Sequence, residues 1–183
     1  SGPVARLAGL NLSVTTVRRQ KLTIVDVPEI LANAPFVIDE DNGAHWRPAP
    51  NGAQLVFTDP TTPPTDPAWD VPVSHDFAFE LLDPSSEHNV ARACPFWRSV
   101  WERGSDHWLP QAGQYTYTHD HKPFLGPTGV PGLNLNLGYS GHGVMGSAGG
   151  SRRVVDLLLG KLSPADNPFR VDRPIASRAF DVI

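Results

Sequence analysis

Four glycines fall within the nine residues "GYSGHGVMG", at positions 138, 141, 143 and 146. No other stretch constrains the backbone so strongly, because glycine alone adopts left-handed conformations without steric cost and lets a neighbour approach where a Cβ would stand. The flanks show what the turn connects. "GLNLNLG" (Gly132 to Gly138) alternates leucine and asparagine with the period of a strand, and "SRRVVDLLLGK" spaces Val154, Val155, Leu158 and Leu159 as a helix that Gly160 ends. Gly141, Gly143 and Gly146 also match G-x-G-x-x-G, the dinucleotide fingerprint. That reading needs a second parallel strand ending in an acid about 20 residues on. Asp166 has the right distance but lies in "LSPADNPF", a loop with no hydrophobic strand before it. A strand, a glycine turn and a helix N-terminus remain. The free N–H groups of such a terminus favour an anion or a carbonyl oxygen gaining charge; a tight turn packed on a sheet is the plainer alternative.

Elsewhere the punctuation is equally dense. "PVARLAGLNLS" reads as a short helix, "TTVRRQKLTIVDV" as a strand, and "FVIDED" and "HWRPAPNGAQLVFTD" as further strands, the last turning at Asn51-Gly52. "DPTTPPTDPAWDVPV" holds five prolines in fifteen residues and is excluded from a helix interior or central strand. "DPSSEHNVARACPFWRSVWERG" reads as a helix capped by Asp83, with Pro84 at its first position and a kink or split at Pro95; Val90, Phe96, Trp97, Val100 and Trp101 are its core contacts. "GQYTYTHDHKPFLGP" alternates Tyr115, Tyr117 and His119 as a strand. The order predicts an α+β fold, a mixed and largely antiparallel sheet with flanking helices.

With 183 residues the chain can bury a real core, and a net charge of −4 with only two short basic clusters argues against nucleic acid. One cysteine, Cys94, excludes a disulfide framework and multi-cysteine metal sites, and no apolar run is long enough to span a membrane. The expectation is a cytoplasmic protein without a membrane contact. His119 and His121 share one strand face, but two such ligands without a third fall short of a metal set, so no metal is expected.

Several segments together resemble a family. "SGPVARLAG" is similar to an "aGpwa" segment, "VRRQK" to a "p-x-rrq" strand, "AGQYTYTHDHKPFLGP" to "GlYd-x-tpDh-x-PiiG", "LNLNLGYSGHGVMGSAGG" to "a-tGfsGHG-x-x-x-aP" and "NPFRVDRP" to "l-x-x-f-x-x-x-R". These motifs are those of the FAD-dependent amine and amino-acid oxidoreductases of the D-amino-acid oxidase superfamily, nearest the sarcosine oxidase and dimethylglycine dehydrogenase branch. They run in family order from Gly2 to Arg173. The resemblance implies a C-terminal portion of a longer flavoenzyme. Residues 1–13 would end an FAD-domain segment, 14–112 would form the substrate-binding sheet, and 113–183 would return to the FAD domain, whose N-terminal Rossmann part is missing. The G-x-G-x-x-G match is then accidental, and the turn is the family's second, flavin-facing one.

By the same resemblance, FAD would be held non-covalently against Gly138, Tyr139, Ser140, Gly141, His142, Gly143, Val144 and Met145. His142 would stand at the flavin edge and Tyr115 would wall the substrate cavity as the catalytic pair. His45, Trp46 and Met145 would complete the substrate contacts, with His45 or Trp46 as lid. Read without the family, Tyr115 is equally a half-buried strand aromatic, His142 a structural histidine and Asp120 a turn residue bonding backbone near Pro123. The departures are specific. Gly113 replaces the cysteine that attaches flavin in the covalent sarcosine oxidases, and Met145 replaces a lysine tied to substrate carboxylate and oxygen. A dehydrogenase, or a larger and less acidic amine substrate, fits those losses. A non-catalytic flavoprotein-like assembly module and a stand-alone small-ligand-binding α+β domain are the alternatives from other classes. The expected partners are an amine or amino-acid substrate and the missing FAD-binding half. Without that half, "GLNLNLG" should leave a strand edge unpaired or dimerise through it.

Overall fold

The computed structural model describes residues 1–31, 33–104 and 107–174. The chain forms an α+β fold with an antiparallel sheet and flanking helices. Its described residues divide into two compact units, one built mainly from residues 1–17, 63–68 and 114–174, the other mainly from 18–62 and 69–113.

In the second unit, the Leu22–Val25 end of strand β1 (Val14–Val25) pairs antiparallel with β4 (Gly52–Val56), β4 with β3 (His45–Ala49), and β3 with the short β2 (Val37–Ile38). The register sets Leu22 opposite Leu55 and Ile24 opposite Ala53, all four 0% exposed. Helix α2 (Asp76–Leu82) covers this face because Phe77, Ala78, Leu81 and Leu82 recur on one side of its turns. Helix α3 (Trp97–Arg103) adds Trp97 and Val100, and ends at Gly104 with φ +69°.

Two sequence expectations are corrected here. Asp83 ends α2 rather than starting a long helix: its backbone is extended (ψ 124°), as the following proline demands, and its carboxylate accepts from the Ser85 N–H at 2.8 Å. Between there and Pro95 only a single 3₁₀ turn, Val90–Arg92, forms, and α3 follows the proline. The hairpin turn is the second. Ala49 faces Gly52, so the loop is Pro50-Asn51, and Asn51 alone takes the left-handed conformation (φ +59°). Gly52 serves another purpose, because a Cβ there would run into the Ile24 carbonyl.

In the first unit, helix α1 (Gly2–Leu7) is shorter than expected and stops before Gly9, φ +74°. The proline-dense stretch contributes only β5 (Pro64–Thr65), paired with the start of β1. β6 (Trp108–Thr118) also pairs with β1. The expected single strand from Gly113 to Pro127 breaks at Asp120 and His121, the latter at φ +55°, and resumes as β7 (Phe124–Pro127). His119 and His121 therefore do not share a strand face. β7 pairs with β8 (Asn134–Leu137), and α4 (Gly143–Leu158) packs on both. Gly126, at φ +98°, gives way to Leu157: a Cβ there would approach its Cδ1 to 2.6 Å. Among the described residues no helix is long and apolar enough to cross a membrane.

Candidate functional site

The glycine turn is stitched to β6, the strand that carries Tyr115. Gly138, Ser140 and Gly141 all have positive φ (+77°, +52° and +95°). Ser140 is no glycine, and its hydrogen bonds hold it there: its N–H donates to the Thr116 carbonyl at 3.2 Å, and its Oγ accepts the Thr118 N–H at 3.2 Å. The side chain is 3% exposed. At Gly138 a Cβ would meet Thr118 Cγ2 at 2.8 Å, so the turn lies flat on the strand.

This contact sets Tyr115 beside the turn. A Cβ on Gly141 would stand 3.0 and 3.2 Å from its Cε2 and Cδ2. The ring keeps 44% exposure, and the next side chain on that face, Tyr117, has its ring 6.3 Å away. Tyr117 in turn meets the His121 ring at 5.6 Å, so three rings run in a row from the turn.

Beyond Gly141 the chain enters α4. The Gly146 N–H donates to the His142 carbonyl at 2.8 Å, which leaves the N–H groups of Gly143, Val144 and Met145 without an intrahelical acceptor. His142 is the N-cap and closes none of them with its side chain. Val144 and Met145 are 95% and 70% exposed. An open first turn of a 16-residue helix, carrying the positive end of its dipole, is thus presented next to an exposed tyrosine face.

Gly146 and Gly150 serve packing. Tyr139 points back under α4, where a Cβ on Gly146 would come 2.9 Å from its Cδ1 and one on Gly150 would run into its hydroxyl. That hydroxyl donates to Asn136 Oδ1 at 2.6 Å, and burial raises its pKa. Glycines at 146 and 150 occupy one helix face at i, i+4; that spacing is the sequence signal for a bulky side chain beneath the helix, and the fingerprint reading obscured it.

Behind the turn, Arg173 donates to both oxygens of Asp120, at 2.8 and 2.9 Å, and to the Lys122 carbonyl at 2.7 Å. The guanidinium holds the Asp120 carboxyl down at about 2. Asp120 is thus structural, bonding the Lys122 N–H as well.

Of the residues expected at the site, Tyr115 and the stretch from Gly138 to Met145 come together in one unit. Tyr139 is half-buried, with its ring turned under the helix. His45 and Trp46 belong to the other unit. Trp46 is 4% exposed, donates its indole N–H to Cys94 Sγ at 3.4 Å and packs edge-on against Phe96 and Trp97, so it is spent on the core. His45, on the opposite strand face, is half-buried with Nδ1 3.0 Å from the Gly43 carbonyl, and desolvation lowers its pKa. That second unit also has a wide groove of about 1020 Å³ beside Val27, Pro28, Ile30 and Pro48. Its two charged side chains, Asp26 and Arg103, are already paired with His107 and Glu29. Among the described residues no group of three or more His, Cys, Asp or Glu side chains could hold a metal.

The fold is shared with solved oxidoreductases of amino acids. The chain superposes on glycine oxidase from Geobacillus kaustophilus over 96% of its length, with a TM-score of 0.69 and 24% identity. It matches glycine oxidase from Bacillus cereus (TM-score 0.66, 14% identity, 96% of this chain) and L-proline dehydrogenase from P. horikoshii (0.59, 17%, 92%). It spans less than half of each, 44%, 44% and 41% of their chains. No protein-family model and no curated protein matches at the level of sequence.

Proposed function

We propose that the chain is the C-terminal part of an FAD-dependent oxidoreductase that oxidises a C–N bond of an amine or amino acid, nearest in motif to the sarcosine oxidase and dimethylglycine dehydrogenase branch. The observation that carries this reading is the open N-terminus of α4 beside the Tyr115 ring, in a fold shared with glycine oxidase and proline dehydrogenase structures. The residues fit one edge of the cofactor. FAD, when bound, would accept the hydride and carry the resulting negative charge on its N1 and C2 carbonyl side. The N–H groups of Gly143, Val144 and Met145 point a positive dipole at such an edge, and they need no rearrangement to do so. The glycines at 138 and 141 let the turn lie against β6, which fixes those donors relative to Tyr115. Tyr115 would orient the substrate with its exposed ring face, and His142 would border the same edge. Met145 brings no charge, which favours an electron acceptor other than oxygen or a larger and less acidic amine substrate.

The adenosine and pyrophosphate grip would come from sequence preceding Ser1. The upstream gene should encode a strand followed by G-x-G-x-x-G. The full-length product should purify with one flavin per chain that an amine bleaches without oxygen, while residues 1–183 alone should hold no stoichiometric FAD. Full-length protein that binds no flavin refutes the proposal.

A further inference from the structure

Tyr139 stands in the turn between Gly138 and Gly141, and its side chain runs back beneath α4. Gly143, Gly146 and Gly150, at spacings of 3 and 4, lie along the helix face above it. A Cβ at Gly143 would stand 3.9 Å from the tyrosine Cβ, one at Gly146 2.9 Å from its Cδ1, and one at Gly150 would run into its hydroxyl. The phenol thus lies lengthwise under the first two turns of the helix. At these positions helix backbone rests on the ring, with no helix side chain between them to swing aside.

Both ends of the tyrosine are held. Its carbonyl accepts the His142 N–H at 2.9 Å, which closes the turn into the helix. Its hydroxyl donates to Asn136 Oδ1 at 2.6 Å, and the same amide donates from Nδ2 to Ser151 Oγ at 3.1 Å. Asn136 belongs to β8 and Ser151 to α4, so one amide joins strand, ring and helix.

We infer that Tyr139 is a positioning residue: its ring sets the height of α4 above β8, and with it the place at which the N–H groups of Gly143, Val144 and Met145 are held. The inference rests on the proposed function, in which those donors face the flavin edge that gains negative charge. Tyr139 acts through the helix and needs no contact with the cofactor. The field of a helix end is concentrated in its first turn, so a shift of that turn changes how strongly reduced flavin is favoured over oxidised. Donors on a rigid floor also need no rearrangement as the charge develops. A ring that merely fills space would affect stability and leave the flavin potential alone.

The test measures the midpoint potential of the flavin bound to the full-length gene product. Tyr139→Leu removes the flat floor and should weaken the preference for reduced over oxidised flavin about tenfold, a fall of about 30 mV for a two-electron couple. Tyr139→Phe keeps the ring and should match the parent potential, although it gives up the bond to Asn136 and some stability. Gly146→Ala presses on the ring from the helix side and should lower the potential too; this variant and Tyr139→Phe decide the matter where Tyr139→Leu does not fold. Combining Gly146→Ala with Tyr139→Leu should recover most of the shift, because the methyl enters the space that the ring vacates. A parent without flavin removes the proposed function and this inference together. A flavin-loaded parent whose Tyr139→Leu and Gly146→Ala variants lose stability but keep its potential overturns the inference alone, since the ring is then packing only. A full shift in Tyr139→Phe overturns it as well, because the ring is then not what sets the donors.

Discussion

Arg173 grips Asp120 through two parallel hydrogen bonds of 2.8 and 2.9 Å, with 5% and 11% of the two side chains exposed. The same guanidinium lies 4.3 Å over the Phe124 ring and donates to the carbonyls of Pro123, Phe169 and Arg170, so it ties the last described turn of the chain to the start of β7.

Breaking one side of this pair strands a buried charge. Arg173→Ala should cost about 3 kcal/mol or more, read from denaturant unfolding. The pH dependence has a definite sign. Asp120 titrates at about 2 in the folded chain, below its ordinary value, so its contribution is complete above about pH 4 and is lost as pH falls toward 2. That contribution is about 2 kcal/mol. Asp120→Asn should flatten the acid limb of the stability curve; an unchanged limb would show that the pair does not govern it.

Tyr139 and Gly150 should be coupled. Gly150→Ala forces a methyl into the phenol and should cost about 1–3 kcal/mol by overpacking. In a Tyr139→Ala background the same change should cost less than half as much. Additive effects in that double-mutant cycle would contradict the packing described.

At the β3–β4 hairpin the two turn-like residues should respond oppositely to exchange. Asn51→Gly should be within about 0.5 kcal/mol of the parent, because φ is positive there. Gly52→Ala should be strongly destabilising, since the methyl meets the Ile24 carbonyl of the neighbouring strand. Thermal melts of the two variants decide this, and a harmless Gly52→Ala would count against the β1–β4 register.

Met145→Lys in the full-length product should raise the flavin midpoint potential, because a cation at the first turn of α4 favours the anionic reduced form. Oxygen reactivity and turnover of amino acids bearing a carboxylate should rise with it. If potential, oxygen reactivity and turnover all stay put with flavin content intact, Met145 does not face the cofactor and the assignment of the 138–146 turn falls.

Local patterns settled the element types wherever one periodicity acted alone. The alternating leucines became β8, the proline-dense stretch stayed irregular apart from two residues, Gly160 followed the end of α4, and the strand–turn–helix around Gly141 is where the sequence put it. Misreadings came where a residue's role depended on a distant partner. Gly52 has the chemistry of any turn, and the approach of Ile24 decides its role; Asp83 is the exception, misread for a local reason, because the proline after it fits a helix start as well as an extended residue that ends one. Trp46 and Tyr115 are both strand aromatics by pattern, yet Phe96, Trp97 and Cys94 enclose one, while the other keeps an open face against Gly141. Glycine spacing alone fixed that something comes close to residues 138–150. Only the tertiary structure decided what: Thr118, Tyr115 and Tyr139 side chains, brought there by strand pairing and helix packing that no local sequence window encodes.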